Sequence, residues 1–191
     1  TFEEDMTTYW GDWGVSSEVE KLRAVLMRRP GKEVENFNAT EYRFSDVPID
    51  VELMRKQHDA VADIYREHGV KVYYVEEQRE DRPNAVFCRD LTFMTPEGAI
   101  ITRPGMAARR GEERYIAKAL ADIGVPIVRT INGDGMFGGA NAMWVDRHTC
   151  VISTGSRCNR SGFEQVKYEL ERMGVTEILH MQQPYSNIHI D

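Results

Sequence analysis

Apolar residues recur at helical spacing in three stretches of the chain, and each stretch runs into a Gly-Val pair and then an apolar strand pattern. The glycines of these pairs are Gly69, Gly124 and Gly174, which lie 55 and 50 residues apart. Glycine at this position supplies the left-handed cap that ends a helix. A recurring interval of about 50 residues indicates repeated modules, which bury their apolar faces only by packing on one another.

The chain before Gly69 predicts one strand and one helix. Residues 21–27 show the alternation of a strand, and Pro30-Gly31 then imposes a turn. An irregular stretch follows up to Pro48. From Val51 the apolar positions recur at helical spacing, and residues 70–75 follow as a strand.

The second and third units share the order strand, strand, helix, strand. In the second unit these elements are predicted at 85–95, 99–103, 115–123 and 127–131. In the third unit they are predicted at 142–145, 150–154, 163–173 and 177–181. Because no low-complexity linker divides the chain, the pattern predicts a single α/β domain over residues 1–191.

Composition narrows the choice of partners. The 191 residues carry 24 Lys and Arg against 31 Asp and Glu, a formal net charge of -7, so no overall basic field favours nucleic acid. No run approaches the roughly 20 apolar residues that cross a bilayer, and the acidic start lacks the features of a signal peptide. We therefore expect a soluble, cytoplasmic protein with neither nucleic acid nor membrane as a partner.

The cysteines predict neither a disulfide framework nor a metal site. Cys88, Cys150 and Cys158 are odd in number and show no CxxC spacing, which is typical of buried or incidental thiols. No cofactor and no metal are expected.

One glycine motif suggests a nucleotide site and fails in its context. Residues 133–138 spell GxGxxG after an apolar strand. The dinucleotide fingerprint requires its last glycine to open a helix, whereas residues 140–146 continue as a strand pattern into a turn. We interpret this motif as a flexible turn between modules that lets backbone approach a ligand.

Charged residues recur at the junctions of the modules. A planar guanidinium is best held by carboxylates that accept paired N–H donors, and Asp90 and Asp191 are the candidates. From the residues alone, Asp90 could equally form a structural pair with Arg89, and Asp191 could be an exposed end.

The junction segments resemble those of guanidino-group-modifying enzymes with the pentein fold: arginine deiminases, arginine dihydrolases, dimethylargininases and amidinotransferases. The segments that carry this resemblance are 17–26, 84–90, 103–113, 137–141, 155–159 and 189–191. The resemblance implies an α/β propeller of five ββαβ modules. Residues 1–191 would supply about three and a half of them, at about 50 residues each.

The resemblance also implies roles for individual residues. His189 matches the general acid and base that protonates the departing amine and then activates water. Asp90 and Asp191 match carboxylates that hold the guanidinium. The residues similar to substrate-binding positions of the family are Asn84, Arg109, Arg110, Asn141 and Arg157. Among these, Arg109 or Arg110, together with Arg157, match the arginines that bind the substrate carboxylate.

Two features depart from the family pattern. The family's nucleophile is a cysteine thiolate near its C-terminus, and none of the three cysteines of this chain matches that position. We expect the nucleophile to lie beyond Asp191 and the residues 1–191 alone to be inactive. Gly138 stands where family segments such as FEGAD, EGGD or FDAAD carry a carboxylate, and Asn141 replaces the later aspartate, unless Asp134 substitutes for the missing group.

These features predict a hydrolase of arginine metabolism that acts on arginine or an arginine analogue by Cys-His covalent catalysis. The His189-Ile190-Asp191 triplet and the segment 84–90 favour the deiminase or dihydrolase side. The alternatives are an amidinotransferase, which shares the first half-reaction, and a ligand-binding protein that has lost catalysis. A pentein relative without a guanidine site is disfavoured. The expected partner is a small guanidine, and a homo-oligomer is allowed.

Overall fold

Helices form where the apolar spacing predicts them, and one further helix lies at the start of the chain. The computed structural model describes residues 1–35 and 49–191, so most of the irregular stretch before Pro48 lies outside the described residues. The helices are α1 (Phe2–Tyr9), α2 (Val51–Glu67), α3 (Glu113–Asp122) and α4 (Arg160–Arg172). Gly69, Gly124 and Gly174 follow the last three helices with φ of 77°, 90° and 86°, the left-handed cap that the sequence predicts.

The strands form three small sheets. They are β1 (Ala24–Met27), β2 (Lys71–Tyr74), β3 (Thr92–Thr95), β4 (Gly98–Ile101), β5 (Ile127–Thr130), β6 (Ala142–Asp146), β7 (Thr149–Thr154) and β8 (Glu177–Gln182). β1 and β2 pair in parallel. The other sheets have the orders β3-β4-β5 and β6-β7-β8, each with an antiparallel pair followed by a parallel one. These are two ββαβ modules, as predicted.

The strand predicted over 85–95 is wrong in its first part. Residues 83–91 form two short 3-10 helices, Pro83–Val86 and Cys88–Leu91, and β3 begins only at Thr92. Proline has no N–H to donate to a ladder and suits the first turn of a helix, which accounts for the tighter winding after residue 82.

Helix α1 was missed although its start carries a recognisable signal. The Thr1 hydroxyl accepts a hydrogen bond from the Glu4 backbone N–H, and the Glu4 side chain accepts one from the Thr1 backbone nitrogen. This is a capping box, which satisfies two N–H groups that a helix start leaves unpaired.

The described residues fall into two compact units. The larger unit contains residues 1–20 and 89–191, and the smaller unit contains residues 21–88. The prediction of one domain over residues 1–191 stays a prediction. Among the described residues, no helix combines the length and apolar character needed to cross a membrane.

The core of the larger unit joins its two modules. Phe93 of β3 stacks on Trp144 of β6, with ring centroids 5.6 Å apart, and meets Phe137 edge-on at 6.4 Å. Trp144 also donates its indole N–H to the Met94 carbonyl at 3.0 Å, so its polar atom is satisfied inside the core. The backbones of Arg103 and Phe137 also exchange two hydrogen bonds of 3.2 and 3.1 Å.

The smaller unit is a βαβ arrangement closed by a buried ion pair. Helix α2 connects the parallel strands β1 and β2 and buries Ala62 completely. Arg28 donates to Glu33 at 2.8 and 2.9 Å and to the Val75 carbonyl at 2.9 Å. Because the Glu33 side chain is only 3% exposed, this paired arginine compensates a charge that burial would otherwise penalise.

Gly162 lies in α4 and Gly174 follows it, and substitutions at these two glycines test how tightly α4 packs. A Cβ at Gly162 would lie 2.0 Å from the Met136 carbonyl oxygen, whereas a Cβ at Gly174 would meet nothing within 4 Å. We expect Gly162→Ala to lower the free energy of unfolding by more than about 3 kcal/mol. Gly174→Ala should cost only about 1 kcal/mol, from its left-handed backbone. Urea unfolding of both variants checks this, and equal losses would contradict the close packing of α4 on residue 136.

Candidate functional site

The strand order brings the loops of both modules to one edge. Thr92, at the start of β3, pairs with Ile101 at the end of β4, and the equivalent residues of the next module, Ala142 and Ile152, pair in the same way. β5 and β8 run parallel to β4 and β7, so their C-terminal ends reach the same edge. The segments that enter or leave this edge contain all the predicted site residues of the larger unit: Asp90, Arg109, Arg110, Asn141, Arg157, His189 and Asp191.

Asp90 and His189, which are far apart in the sequence, meet at this edge. His189 Nε2 lies 3.6 Å from Asp90 Oδ1, and the two side chains are 25% and 15% exposed. An imidazole can give or take a proton near neutral pH, and a carboxylate accepts N–H donors. The pair therefore places a proton-transfer group beside a cation-binding group.

Arg109 lies between two carboxylates of the chain itself. Its Nη1 donates to Asp90 Oδ2, and its Nε donates to Glu112 Oε2 at 2.8 Å. The Arg109 side chain is 10% exposed, and that of Glu112 is 0% exposed. We call Asp90, Arg109, Glu112 and His189 the Asp90 cluster. Its arginine balances one of two carboxylates that would be costly to bury without a partner.

Asp191 is exposed and faces an arginine. Its Oδ2 lies 3.5 Å from Arg89 Nε. The two terminal nitrogens of Arg89 donate to the carbonyls of Gly139 and Ala142 at 2.6 and 2.7 Å. Arg89 thus pairs with Asp191, not with the neighbouring Asp90, and it ties the start of one module to the start of the next.

Asn141 holds the segment that carries His189. Its Nδ2 donates to Gln183 Oε1 and to the Ile188 carbonyl, each at 3.1 Å. Gln183 in turn donates to the His189 carbonyl at 2.6 Å. Because Asn141 and Gln183 are both buried, this amide network fixes the approach of His189 to Asp90.

The oxygen of the same Asn141 side chain is unpaired and lies beside Gly138. Asn141 Oδ1 is buried and has no hydrogen-bond partner among residues 1–35 and 49–191. A Cβ at Gly138 would lie 3.1 Å from it. Asp134 does not fill the gap left by the missing carboxylate, since its Oδ1 accepts a 2.7 Å bond from Ser161 in α4.

The remaining predicted binding residues are Arg110, Arg157 and Asn84. Arg110 donates its Nε to the Pro104 carbonyl at 3.2 Å. Arg157 is half-buried next to Gly138, where an added Cβ would lie 3.9 Å from Arg157 Cβ. Asn84 is buried in the 3-10 helix Pro83–Val86 of the smaller unit. Their roles in binding stay predictions.

The thiols of the larger unit are unsuited to nucleophilic attack. Cys150 and Cys158 are both 0% exposed. Burial raises the pKa of each thiol to about 12. At neutral pH they are therefore protonated, and only the thiolate is a nucleophile.

A separate cavity of about 520 Å³ opens between the end of β7, the last residues of β8 and the start of α4. Its lining includes Ser156, Arg160, His180 and Tyr185, and no carboxylate is among its lining residues. Because the Asp90 cluster contains carboxylates and this cavity has none, the lining of the cavity does not support cation binding in the cavity.

Three polar residues of the site were missed from the sequence. They are Arg89, Glu112 and Gln183. Adjacency to Asp90 is the available signal for Arg89, and for Glu112 it is the i, i+3 spacing from Arg109. Nothing in the local sequence marks Gln183, because its buried partner Asn141 lies 42 residues away.

The two ββαβ modules with charged residues at one edge define the class, which is the pentein superfamily of guanidino-group-modifying proteins. The chain belongs to the family described as "N,N dimethylarginine dimethylhydrolase, eukaryotic", whose model matches residues 32–191.

Curated relatives are similar to this chain at different coverage. An N(G),N(G)-dimethylarginine dimethylaminohydrolase of Streptomyces coelicolor is 27% identical over 167 residues, which are 84% of this chain and 63% of that protein. An arginine deiminase of Treponema denticola is 44% identical over 66 residues, which are 33% of this chain and 16% of that protein. The chain therefore spans less than two thirds of the length of either relative.

Solved structures share the fold. A cysteine-to-serine mutant of the dimethylarginine dimethylaminohydrolase of Pseudomonas aeruginosa, complexed with citrulline, matches with a TM-score of 0.70 and 24% identity, over 86% of this chain and 63% of that one. SxtG, an amidinotransferase of Microseira wollei, matches with a TM-score of 0.68 and 15% identity, over 94% of this chain and 65% of that one. The pentein-type α/β fold predicted from the sequence is confirmed.

The buried thiols make a direct prediction. Raising the pKa from 9.0 to about 12 lowers the thiolate fraction at pH 8 about a thousandfold, so a thiol reagent should label Cys150 and Cys158 only after unfolding. Since the folded pKa is raised, these thiols stabilise the fold below pH 9, and that contribution is lost as pH rises towards 12. Mass spectrometry after timed labelling checks this, and fast labelling of native Cys158 would make it a candidate nucleophile.

Proposed function

We propose that this protein is a hydrolase that acts on the C–N bonds of guanidines, with arginine or an arginine analogue as substrate. The observation that carries the proposal is the pairing of Asp90 with His189 at 3.6 Å, at the edge where the loops of both modules meet. Membership of a dimethylarginine hydrolase family supports the reaction class. The fold alone would not, because one fold supports many chemistries.

In this proposal each residue has a role that its chemistry allows. Asp90 accepts N–H bonds from the ligand's guanidinium, and the resulting charge-assisted pair is strong because the carboxylate is largely shielded from water. His189 donates a proton to the departing amine and then takes one from the attacking water. Arg157 and Arg110 are the proposed partners of the substrate carboxylate, for which arginine offers paired donors.

The covalent step requires a cysteine other than Cys150 and Cys158. A thiolate that attacks the guanidinium carbon forms a C–S bond while the C–N bond to the leaving amine breaks, and water then releases the carbon and regenerates the thiolate. Since Cys88 also does not match the position of the family nucleophile, we place this cysteine outside residues 1–191. With arginine as substrate the products are citrulline and ammonia, and a second hydrolysis would give ornithine.

An amidinotransferase is the second candidate, because that class shares the His189-Ile190-Asp191 triplet and the first half-reaction with the deiminases and dihydrolases. The two reactions differ in whether water or an amine resolves the intermediate. Incubating the intact protein with arginine and an acceptor amine separates them by product analysis. Citrulline or ornithine with ammonia supports hydrolysis, whereas a new guanidino compound contradicts it. Arginine binding without any product would indicate a ligand-binding protein.

Replacing the proposed proton-transfer group should impair the chemical step. In the intact protein, His189→Gln should lower kcat about 10²- to 10⁴-fold and change KM little, since general acid and base catalysis contributes on that scale. His148→Gln is the matched control, because His148 is exposed on the turn after β6. Steady-state release of ammonia measures both, and wild-type turnover by His189→Gln would exclude this role.

Gly138 offers a test of the missing carboxylate. We expect Gly138→Glu to tighten arginine binding about tenfold relative to Gly138→Gln, because a hydrogen bond to a charged acceptor contributes about 1.5–3 kcal/mol. The two variants share size and the contact with Asn141 Oδ1, where a Cβ would lie 3.1 Å away, so their difference reports the charge. Calorimetry with arginine measures it, and equal affinities would show that residue 138 does not face the ligand.

A further inference from the structure

Both oxygens of the Asp90 carboxylate already have neighbours within the protein. Arg109 Nη1 donates to Oδ2, and His189 Nε2 lies 3.6 Å from Oδ1. The Asp90 and Arg109 side chains are 15% and 10% exposed, so water competes only weakly for this ion pair. A ligand guanidinium that binds Asp90 therefore meets a guanidinium of the protein at the same carboxylate.

Arg109 keeps a second partner if it leaves Asp90. Its Nε donates to Glu112 Oε2 at 2.8 Å, and Glu112 is completely buried. A ligand cation that takes the place of Arg109 at Asp90 would therefore leave the pair of Arg109 with Glu112 intact. Arg109 and Glu112 would then still neutralise each other.

From these contacts we infer that Arg109 is a specificity-determining residue that competes with the ligand's guanidinium for Asp90. The inference rests on the proposed function, in which Asp90 holds that guanidinium. Arg109 offers Asp90 one donor, Nη1, whereas a ligand guanidinium can offer two parallel N–H donors. An ammonium is a compact point charge without this paired geometry. Displacing Arg109 therefore selects guanidines over amines.

This role differs from the one that the resemblance implies, in which Arg109 binds the substrate carboxylate. Methylguanidine separates the two because it has a guanidinium and no carboxylate. If Arg109 competes at Asp90, Arg109→Gln should bind methylguanidine more tightly than wild type, by about tenfold if Arg109 occupies the carboxylate nine tenths of the time. If Arg109 holds the carboxylate, the variant should bind methylguanidine unchanged and arginine more weakly.

The experiment is a titration of the intact protein with methylguanidine, methylammonium and arginine, followed by NMR chemical shifts. Arg129→Gln is the matched control, because it removes an arginine from another buried pair, with Glu169 at 2.8 Å, away from the Asp90 cluster. Arg109→Gln/Glu112→Gln serves if the single variant unfolds, since it also removes the uncompensated carboxylate. Circular dichroism verifies the fold of each variant.

Tighter methylguanidine binding in either Arg109 variant, with a smaller preference over methylammonium and no change in Arg129→Gln, supports the inference. Unchanged or weaker methylguanidine binding in both Arg109 variants overturns it, and if wild type still binds arginine the proposed function stands. Tighter binding in Arg129→Gln as well also overturns it. Failure of wild type and all variants to bind either guanidine overturns the inference and the proposed function together.

Discussion

The directions of the three strands in each module determine at which edge of the sheet the loops of the larger unit lie. In each ββαβ module the second strand is antiparallel to the first and parallel to the third. The start of the first strand and the ends of the other two consequently share an edge, and every loop at that edge is available to the site. Asp90 and Asn141 precede first strands, and His189 follows a last strand. Repeating one supersecondary unit thus gathers residues that are distant in sequence, without a dedicated long loop.

Charge balance at that edge limits what the site can hold. Asp90 and Asp191 face Arg109 and Arg89, so each carboxylate predicted to bind a cation already has one. Burying an ion without a partner costs several kcal/mol, which explains why the largely buried Asp90 is paired with Arg109. Gly138 removes a further negative charge relative to the segments that this chain resembles. Affinity for a cation therefore depends on rearranging existing pairs more than on filling an empty acidic pocket.

The sequence predicts the modules well because their signals are local. Helical spacing before Gly124 and Gly174, and alternation in β6 and β7, require no knowledge of distant residues. It fails where a local rule overrides alternation, as in the 3-10 helices over 83–91, and at the short helix that the capping box of Thr1 begins. At the site, sequence similarity indicates candidate residues but not their partners. The pairings of Arg89 with Asp191 and of Gln183 with Asn141 follow from the meeting of distant segments, which spacing along one segment does not reveal.

The neighbouring glycines 138 and 139 have different constraints: Gly139 limits how closely two modules pack, and Gly138 affects the charge of the site. A Cβ at Gly139 would lie 2.2 Å from the Thr92 carbonyl oxygen and 2.3 Å from that of Arg89, so this position sets how closely two modules approach each other. At Gly138 the nearest atom to an added Cβ is a side-chain oxygen at 3.1 Å, which a small shift can accommodate. During evolution, one codon at this junction is therefore constrained by assembly, while the adjacent codon can change the electrostatics of the site without repacking the propeller.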